Sequence, residues 1–345
     1  MCPQRPTPEG HAGERAAAEP RDGGPRPAPL SPAETRAAVA EAARRTLSRD
    51  RLAAAHPHFT AVSPAVGRVE EDAVAALLRD DPDEGVSLLA DLAVATDPAL
   101  RRRARALAQR LLPRLGAGAG PPRPGSHRLA LHAGALDGDL DLERTLERTG
   151  ARRPRHGSEL VTRRFAASPR AICLLVDRSG SMGAHAVALA AVAASAVVAA
   201  ADPELGSRGH RMHCGVITFA SETMILRSLR DPAPAERVIE DLLSLRGHGR
   251  TDLAAALRAA AHMLEGVPGG RDRNRTVLLL SDCLSTRGRD PHAAAGALDC
   301  LHVLGTSDAQ EARAAGIALA RRGRGRYLPA GSVRELRANL QIALR

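Results

Sequence analysis

The sequence contains no lysine and no tryptophan. All 49 basic residues are arginine, and the formal net charge is +10. Alanine, glycine and proline are abundant and asparagine is nearly absent, a pattern that indicates GC-rich coding rather than a surface selected for nucleic acid. Because so few aromatic side chains are present, the core must be built from Leu, Val, Ile and Ala, and recognition of single-stranded nucleic acid by base stacking is not expected. The aromatic residues are Phe59, Phe165, Phe219 and Tyr327.

Cysteine is also scarce, and no C-x-x-C spacing occurs. This favours small buried apolar residues in a reducing compartment over a disulfide framework or a zinc site. The N-terminal region has no apolar run of signal-peptide length. No stretch is a convincing membrane span, since Ala184–Ala201 is dominated by alanine and interrupted by His185. We therefore expect a cytoplasmic protein. The cysteines are Cys2, Cys173, Cys214, Cys283 and Cys300.

Two catalytic signatures are missing. The chain has no G-x-x-x-x-G-K-[ST] phosphate loop, so it is not a P-loop ATPase. It has no G-x-S-x-G nucleophile elbow, and no histidine is evidently placed as a base for a serine. We therefore expect a binding protein rather than an enzyme.

Composition divides the chain into five segments. The first is Pro- and Arg-rich and cannot bury enough apolar surface to fold, so we expect disorder. The second opens with Ser31-Pro32-Ala33-Glu34, a capping-box pattern that predicts a helix running to about Ala55, and it continues as a small helical domain. A Gly/Pro linker, a connecting segment and an α/β domain follow. The predicted bounds are 1–30, 31–115, 116–126, 127–168 and 169–345.

The last segment alternates strand and helix patterns, which predicts a doubly wound, mostly parallel, Rossmann-like sheet. Its first strand, Ala171–Val176, has no polar alternation, as in a strand buried on both faces. Asp177, Ser179 and Ser181 follow, and their alternation in an extended turn aims three oxygen-bearing side chains the same way. In such sheets this turn lies where ligands bind. Oxygen ligands with few formal charges suit Mg²⁺.

The D-x-S-x-S pattern resembles the metal-ion-dependent adhesion site of von Willebrand factor A domains, whose fold is the doubly wound sheet expected here. The resemblance requires a later threonine and a later aspartate. Thr251 precedes a helical stretch, and Asp282 follows a second apolar strand. By this resemblance Ser179, Ser181 and Thr251 would supply hydroxyl ligands to Mg²⁺ or Mn²⁺, while Asp177 and Asp282 would act through coordinated water. An open position on the metal would then bind a Glu or Asp of another protein.

Three positions depart from the commonest family pattern. Arg178 stands inside the motif, Arg250 precedes the threonine, and Cys283 follows the last aspartate where glycine is typical. The two arginines either strengthen capture of an acidic partner or point into solvent. Cys283 is interpreted as a packing residue, with a role beside the metal as the alternative.

A looser resemblance covers the connecting segment. The acidic stretch from Asp137, the short helix after it and the arginines Arg163 and Arg164 resemble the lead-in of the CoxE-like subfamily. Members of that subfamily are typically associated with MoxR-type AAA+ ATPases, which implies an adaptor in complex maturation or metal-cofactor insertion. The alternative is a subunit similar to the magnesium chelatase D-type chain. That alternative is disfavoured because 31–115 is too short for an AAA+-like part.

Overall fold

The structure, a computed structural model, describes residues 28–116, 127–134, 139–167, 170–201, 212–230, 232–245, 247, 249–266 and 274–344. The tail predicted for 1–30 and the linker predicted for 116–126 fall almost wholly outside these ranges. The chain divisions proposed from composition stay predictions.

Six helices open the described chain, and the first begins with the predicted capping box. The Ser31 hydroxyl accepts from the Glu34 amide at 3.3 Å, and the Glu34 carboxylate accepts from the Ser31 amide at 2.9 Å. The prediction of one helix to Ala55 is wrong. A second helix starts after Ser48, whose hydroxyl accepts from the Arg51 amide at 3.4 Å. The helices are α1 Pro32–Ala42, α2 Arg49–Ala55, α3 Phe59–Val62, α4 Glu71–Asp80, α5 Pro82–Leu92 and α6 Pro98–Gly116.

The connecting segment forms a small antiparallel sheet that the sequence analysis did not predict. Its strands are β1 His127–Ala133, β2 Asp139–Leu140 and β3 Val161–Ala167, in the order β1-β3-β2. The short helix expected after the acidic stretch is present as α7 Leu142–Thr149. Asp141 accepts from the Arg144 amide at 3.1 Å and from Arg163 Nε at 2.7 Å, which ties this helix to β3.

A six-stranded sheet forms the centre of the protein, in the order β6-β5-β4-β7-β8-β9. All neighbouring strands are parallel except β6, which is antiparallel to β5 at one edge. The predicted doubly wound, mostly parallel fold is therefore confirmed. The strands are β4 Arg170–Asp177, β5 Met212–Phe219, β6 Thr223–Arg227, β7 Asn274–Ser281, β8 Leu301–Gly305 and β9 Tyr327–Pro329.

Helices cover both faces of this sheet. Alternate residues of β4 point to opposite sides, and because they are apolar on both sides, each face must be buried. Ile172 and Leu174 join the core under α8, α9 and α13, while Cys173 and Leu175 join the core under α10, α11 and α12. The helices are α8 Ala184–Ala200, α9 Ala235–Ser244, α10 Leu253–Glu265, α11 Pro291–Gly296, α12 Gln310–Arg322 and α13 Val333–Ala343.

Helix α8 is apolar all round because α5 and α6 cover the side that faces away from the sheet. Every residue from Val187 to Val198 is buried, and one hydrophobic cluster runs from α4–α6 through α8 into the sheet. Gly116 packs so closely that a Cβ there would lie 2.5 Å from the Ala196 Cβ. No helix in the described part of the chain is long and apolar enough to cross a bilayer.

Helix α5 also makes polar contacts with the first turn of α8, which follows the Asp177 turn. The Ser87 hydroxyl lies 2.9 Å from His185 Nδ1, and His185 Nε2 lies 3.0 Å from the Gly331 carbonyl oxygen. The Asp83 carboxylate accepts from the Val333 amide at 2.7 Å, at the start of α13. The N-terminal helices thus contact the start of α8, which follows the turn after β4, and the start of α13.

His56 links α2 to α5 and gives a pH dependence of stability. Its ring is buried, with Nδ1 3.1 Å from Glu84 and Nε2 3.0 Å from Asp91. The Asp91 hydrogen bond raises the pKa of His56 above its ordinary value of 6.5, and burial opposes this. The stabilisation is complete below the unfolded-state pKa and is lost as the pH rises through the higher folded-state pKa.

We therefore expect the free energy of unfolding of wild-type protein to fall as the pH is raised from about 6.5. Urea unfolding at a series of pH values in EDTA measures this. His56→Gln should flatten the profile in that window. An unchanged slope in the variant would show that other groups cause it.

Candidate metal centre

The first part of the site is the turn between β4 and α8. Asp177 ends β4 with its side chain 0% exposed, and its Oδ1 accepts from the Ser179 amide at 2.8 Å. The hydroxyls of Ser179 and Ser181 lie 3.0 Å apart. Ser179 is buried and Ser181 is exposed, so this hydroxyl pair leads from the interior to the surface. The alternating spacing therefore places the two serine oxygens together, as the sequence predicts.

The second part is the loop before α10. The Gly180 amide donates to the Gly249 carbonyl at 3.1 Å, which joins this loop to the first turn. Gly247 fits against the same turn, since a Cβ there would meet the Met182 carbonyl and lie 2.6 Å from the Ser179 carbonyl oxygen. Thr251 follows with only 2% exposure. The predicted threonine is thereby brought next to the serine turn.

The third part is the segment after β7. The Ser281 hydroxyl donates to Asp177 Oδ2 at 2.5 Å and accepts from the Cys283 amide at 2.9 Å. Asp282 is buried beside it and accepts from the Leu284 amide at 3.0 Å. The structure therefore brings all five predicted residues to the carboxyl edge of the sheet.

Residues that the sequence analysis missed hold these three parts in place. Ser281 bridges Asp177 to the turn after β7. The Thr286 hydroxyl accepts from the Thr251 amide at 2.9 Å, and the Ser285 hydroxyl donates to the Thr251 carbonyl at 3.2 Å. Ser281 could have been noticed as a polar residue at the end of an apolar strand. Nothing in the local sequence pairs Thr286 with a residue 35 positions away.

The electrostatics of the site favour a bound cation. Burial raises the pKa of Asp177, and the neighbouring Asp282 carboxylate raises it further, while hydrogen bonds from Ser281 and Ser179 act in the opposite direction. A buried carboxylate next to a second one is costly without a positive charge. A divalent ion at this edge would supply that charge.

The donor chemistry fits a hard cation. The site combines two carboxylates with three hydroxyls, all of them oxygen ligands. Among the described residues no three His, Cys, Asp or Glu side chains come together as a metal cluster. The residues present fit Mg²⁺ or Mn²⁺.

The two arginines at the motif occupy different environments. Arg178 is buried, so the interpretation that it points into solvent is wrong. Burial lowers the pKa of Arg178, while Glu222 and Asp177 oppose that shift. Arg250 is exposed next to Thr251. Only Arg250 is therefore placed on the outer surface beside the site.

Cys283 keeps the tight turn that glycine usually makes. Its φ is 61°, in the left-handed region that costs a residue with a side chain about 1–2 kcal/mol. The thiol is buried, and burial together with Asp282 and Asp177 raises the pKa of Cys283 to about 12. The neutral thiol packs as a small apolar group, in agreement with the packing interpretation.

Residues 172–285 match the family model for the von Willebrand factor type A domain. No curated protein matches the sequence. Three solved structures are similar to about half of this chain.

The first of these structures is an aerotolerance-related membrane protein from Bacteroides fragilis, with 18% identity, 51% of this chain and 98% of that chain covered, and a TM-score of 0.38. The second is the conserved hypothetical protein BatB from Bacteroides thetaiotaomicron, with 16% identity, 51% and 97% coverage and a TM-score of 0.38. The third is proximal thread matrix protein 1 from the mussel byssus with a zinc-occupied MIDAS motif, with 17% identity, 52% and 48% coverage and a TM-score of 0.41.

Proposed function

We propose that this protein is a metal-ion-dependent interaction module, because residues 172–285 match the family model for the von Willebrand factor type A domain. The observation that carries the proposal is the meeting of three separate chain segments at the carboxyl edge of β4. The proposed metal-binding residues are Asp177, Ser179, Ser181, Thr251 and Asp282.

The proposed residues divide by chemistry. The hydroxyls of Ser179, Ser181 and Thr251 would be the neutral metal ligands, while Asp177 and Asp282 would act through coordinated water. A bound Mg²⁺ or Mn²⁺ supplies an electrophilic open position for a carboxylate. Exposed Ser181 and exposed Arg250 lie on the outer side, where an acidic side chain of a partner would approach.

For the partner we propose a MoxR-type AAA+ ATPase, with this chain as its cytoplasmic adaptor in complex maturation or metal-cofactor insertion. Support comes from the resemblance of the connecting segment to the lead-in of the CoxE-like subfamily, whose members are typically associated with such ATPases. The proposed role is non-catalytic.

The proposal predicts metal-dependent capture of a partner. Purified protein is used as bait in native lysate of the source cells, in Mg²⁺ and in EDTA, and retained proteins are identified by mass spectrometry. Ser181→Ala removes one proposed ligand from an exposed position, and Ser158→Ala is the matched control in the exposed 3-10 turn before β3. An AAA+ ATPase should be retained in Mg²⁺ by wild type and Ser158→Ala, and lost with EDTA or Ser181→Ala.

Two other results would contradict parts of the proposal. If wild type and both serine variants retained the same amount of the partner in Mg²⁺ and in EDTA, metal-dependent docking would be refuted. Metal-dependent retention of a protein without an ATPase domain would refute the MoxR-type partner and leave the docking site intact.

A further inference from the structure

A second candidate site lies at the opposite edge of the large sheet. A cavity of about 750 Å³ opens there, lined by residues from the starts of β4, β8 and β9 and from the end of α13. Arg170 begins β4 and Asp177 ends it. Seven residue steps of a parallel strand place the two about 23 Å apart. The cavity is therefore separate from the candidate metal centre.

Three arginines line this cavity: Arg170, Arg324 and Arg326. Arg170 is only 7% exposed, donates to the Leu344 carbonyl through Nη1, and has a buried Nε without a hydrogen-bond partner among the described residues. Arg324 donates to the carbonyls that follow α11, including that of Asp299 at 3.3 Å. The two guanidiniums are thus held by neutral oxygens.

The described lining residues of the cavity carry no negative charge. No Asp or Glu is among its described lining residues, and the neighbouring Asp299 side chain is exposed. His302 Nδ1 accepts from the Arg326 amide at 3.1 Å, so in the neutral ring Nε2–H faces Cys300 Sγ at 3.4 Å. Burial, then Arg326 and Arg170, lowers the pKa of His302, and burial raises the pKa of Cys300. Both shifts favour the neutral forms, so neither His302 nor Cys300 adds a negative charge to the described lining.

We propose that this cavity binds a phosphorylated small molecule. Guanidinium groups match phosphate oxygens in a bidentate geometry, and a group with two negative charges suits a cavity lined by three arginines. The cavity volume lies within the range of about 300–1,000 Å³ found for small-molecule sites. The cavity is therefore larger than a free phosphate ion requires. Ile342 and Ala343 form an apolar wall for the organic part of the ligand.

Calorimetric titration with inorganic pyrophosphate tests this proposal. The titration is done in EDTA, so that the candidate metal centre makes no contribution. Arg326→Gln removes an exposed lining arginine, whereas Arg170 also holds the end of α13 and is avoided. Arg258→Gln removes an exposed arginine from α10 and gives the same net charge as Arg326→Gln. Citrate titrated in parallel tests a carboxylate ligand.

Wild type and Arg258→Gln should bind pyrophosphate equally, and Arg326→Gln should bind it about tenfold more weakly, the effect of one charge-assisted hydrogen bond. No binding of pyrophosphate, or equal weakening in both variants, would overturn the proposal. Binding of citrate in preference to pyrophosphate would overturn the phosphate assignment. These outcomes are independent of the metal-dependent docking described above.

Discussion

Gly247→Ala is expected to lower the free energy of unfolding by about 1–3 kcal/mol, the usual cost of forcing an extra carbon into a packed site. The added Cβ would meet the Met182 carbonyl and lie 2.6 Å from the Ser179 carbonyl oxygen. Both are backbone atoms of the serine turn, so neither can move aside as a flexible side chain would. The turn and the threonine loop must separate, and divalent-cation binding should weaken with them.

Gly180→Ala is the matched control for this prediction. Gly180 lies at the same contact between the two loops, but its Cβ would be 3.6 Å from the Gly249 carbonyl oxygen, an ordinary contact distance. Urea unfolding with and without Mg²⁺ measures both variants. Equal stability and equal Mg²⁺ response in Gly247→Ala and wild type would contradict the close packing of these loops.

Asp177→Asn is expected to weaken divalent-cation binding by about 10- to 100-fold, the usual effect of removing a carboxylate that orients ligands. Without metal, the same variant should be more stable than wild type. Asp177 is 0% exposed and its pKa is raised by burial, so the metal-free protein carries a costly carboxylate. The neutral amide removes that cost, which we expect to be at least about 1 kcal/mol.

Thermal unfolding in EDTA and in Mg²⁺ separates the two effects. Wild type should gain stability with Mg²⁺, as any protein does when a ligand binds its folded state, and Asp177→Asn should gain little. Asp252→Asn serves as the control because Asp252 caps α10 in the same region, accepting from the Ala255 amide at 2.9 Å, and Asn caps helices equally well. If Asp177→Asn were less stable than wild type in EDTA and still gained stability with Mg²⁺, the role given to Asp177 would be contradicted.

The candidate site could be predicted from the sequence because its chemistry is local. Asp177, Ser179 and Ser181 stand in one turn, and Thr251 and Asp282 each lie next to a recognisable helix or strand. The residues that join these parts could not be found this way. The Ser281–Asp177 hydrogen bond spans 104 positions, and the room for Gly247 depends on how two loops approach each other.

The fold shows the same division. The large parallel sheet follows from apolar strands that alternate with helices. The small sheet was missed because β2 has two residues and β3 contains Arg163 and Arg164, which indicated a charged approach rather than a strand. The break between α1 and α2 depends on Leu47. Its carbonyl accepts from the Thr96 amide at 2.8 Å, and its backbone forms a parallel bridge with Ala95, shortly after α5. Tertiary pairing of this kind overrides helical pattern.

Titration of Mn²⁺ into the purified protein, followed by electron paramagnetic resonance, tests the central claim most directly. The variants to compare are wild type and the double variant Ser179→Ala/Ser181→Ala, which removes the two hydroxyls that lie 3.0 Å apart and leaves the buried carboxylates in place. We predict one tightly bound ion per wild-type chain and none in the double variant. An absence of bound ion in wild type, or an unchanged ion count in the double variant, would contradict a metal centre at the carboxyl edge of β4.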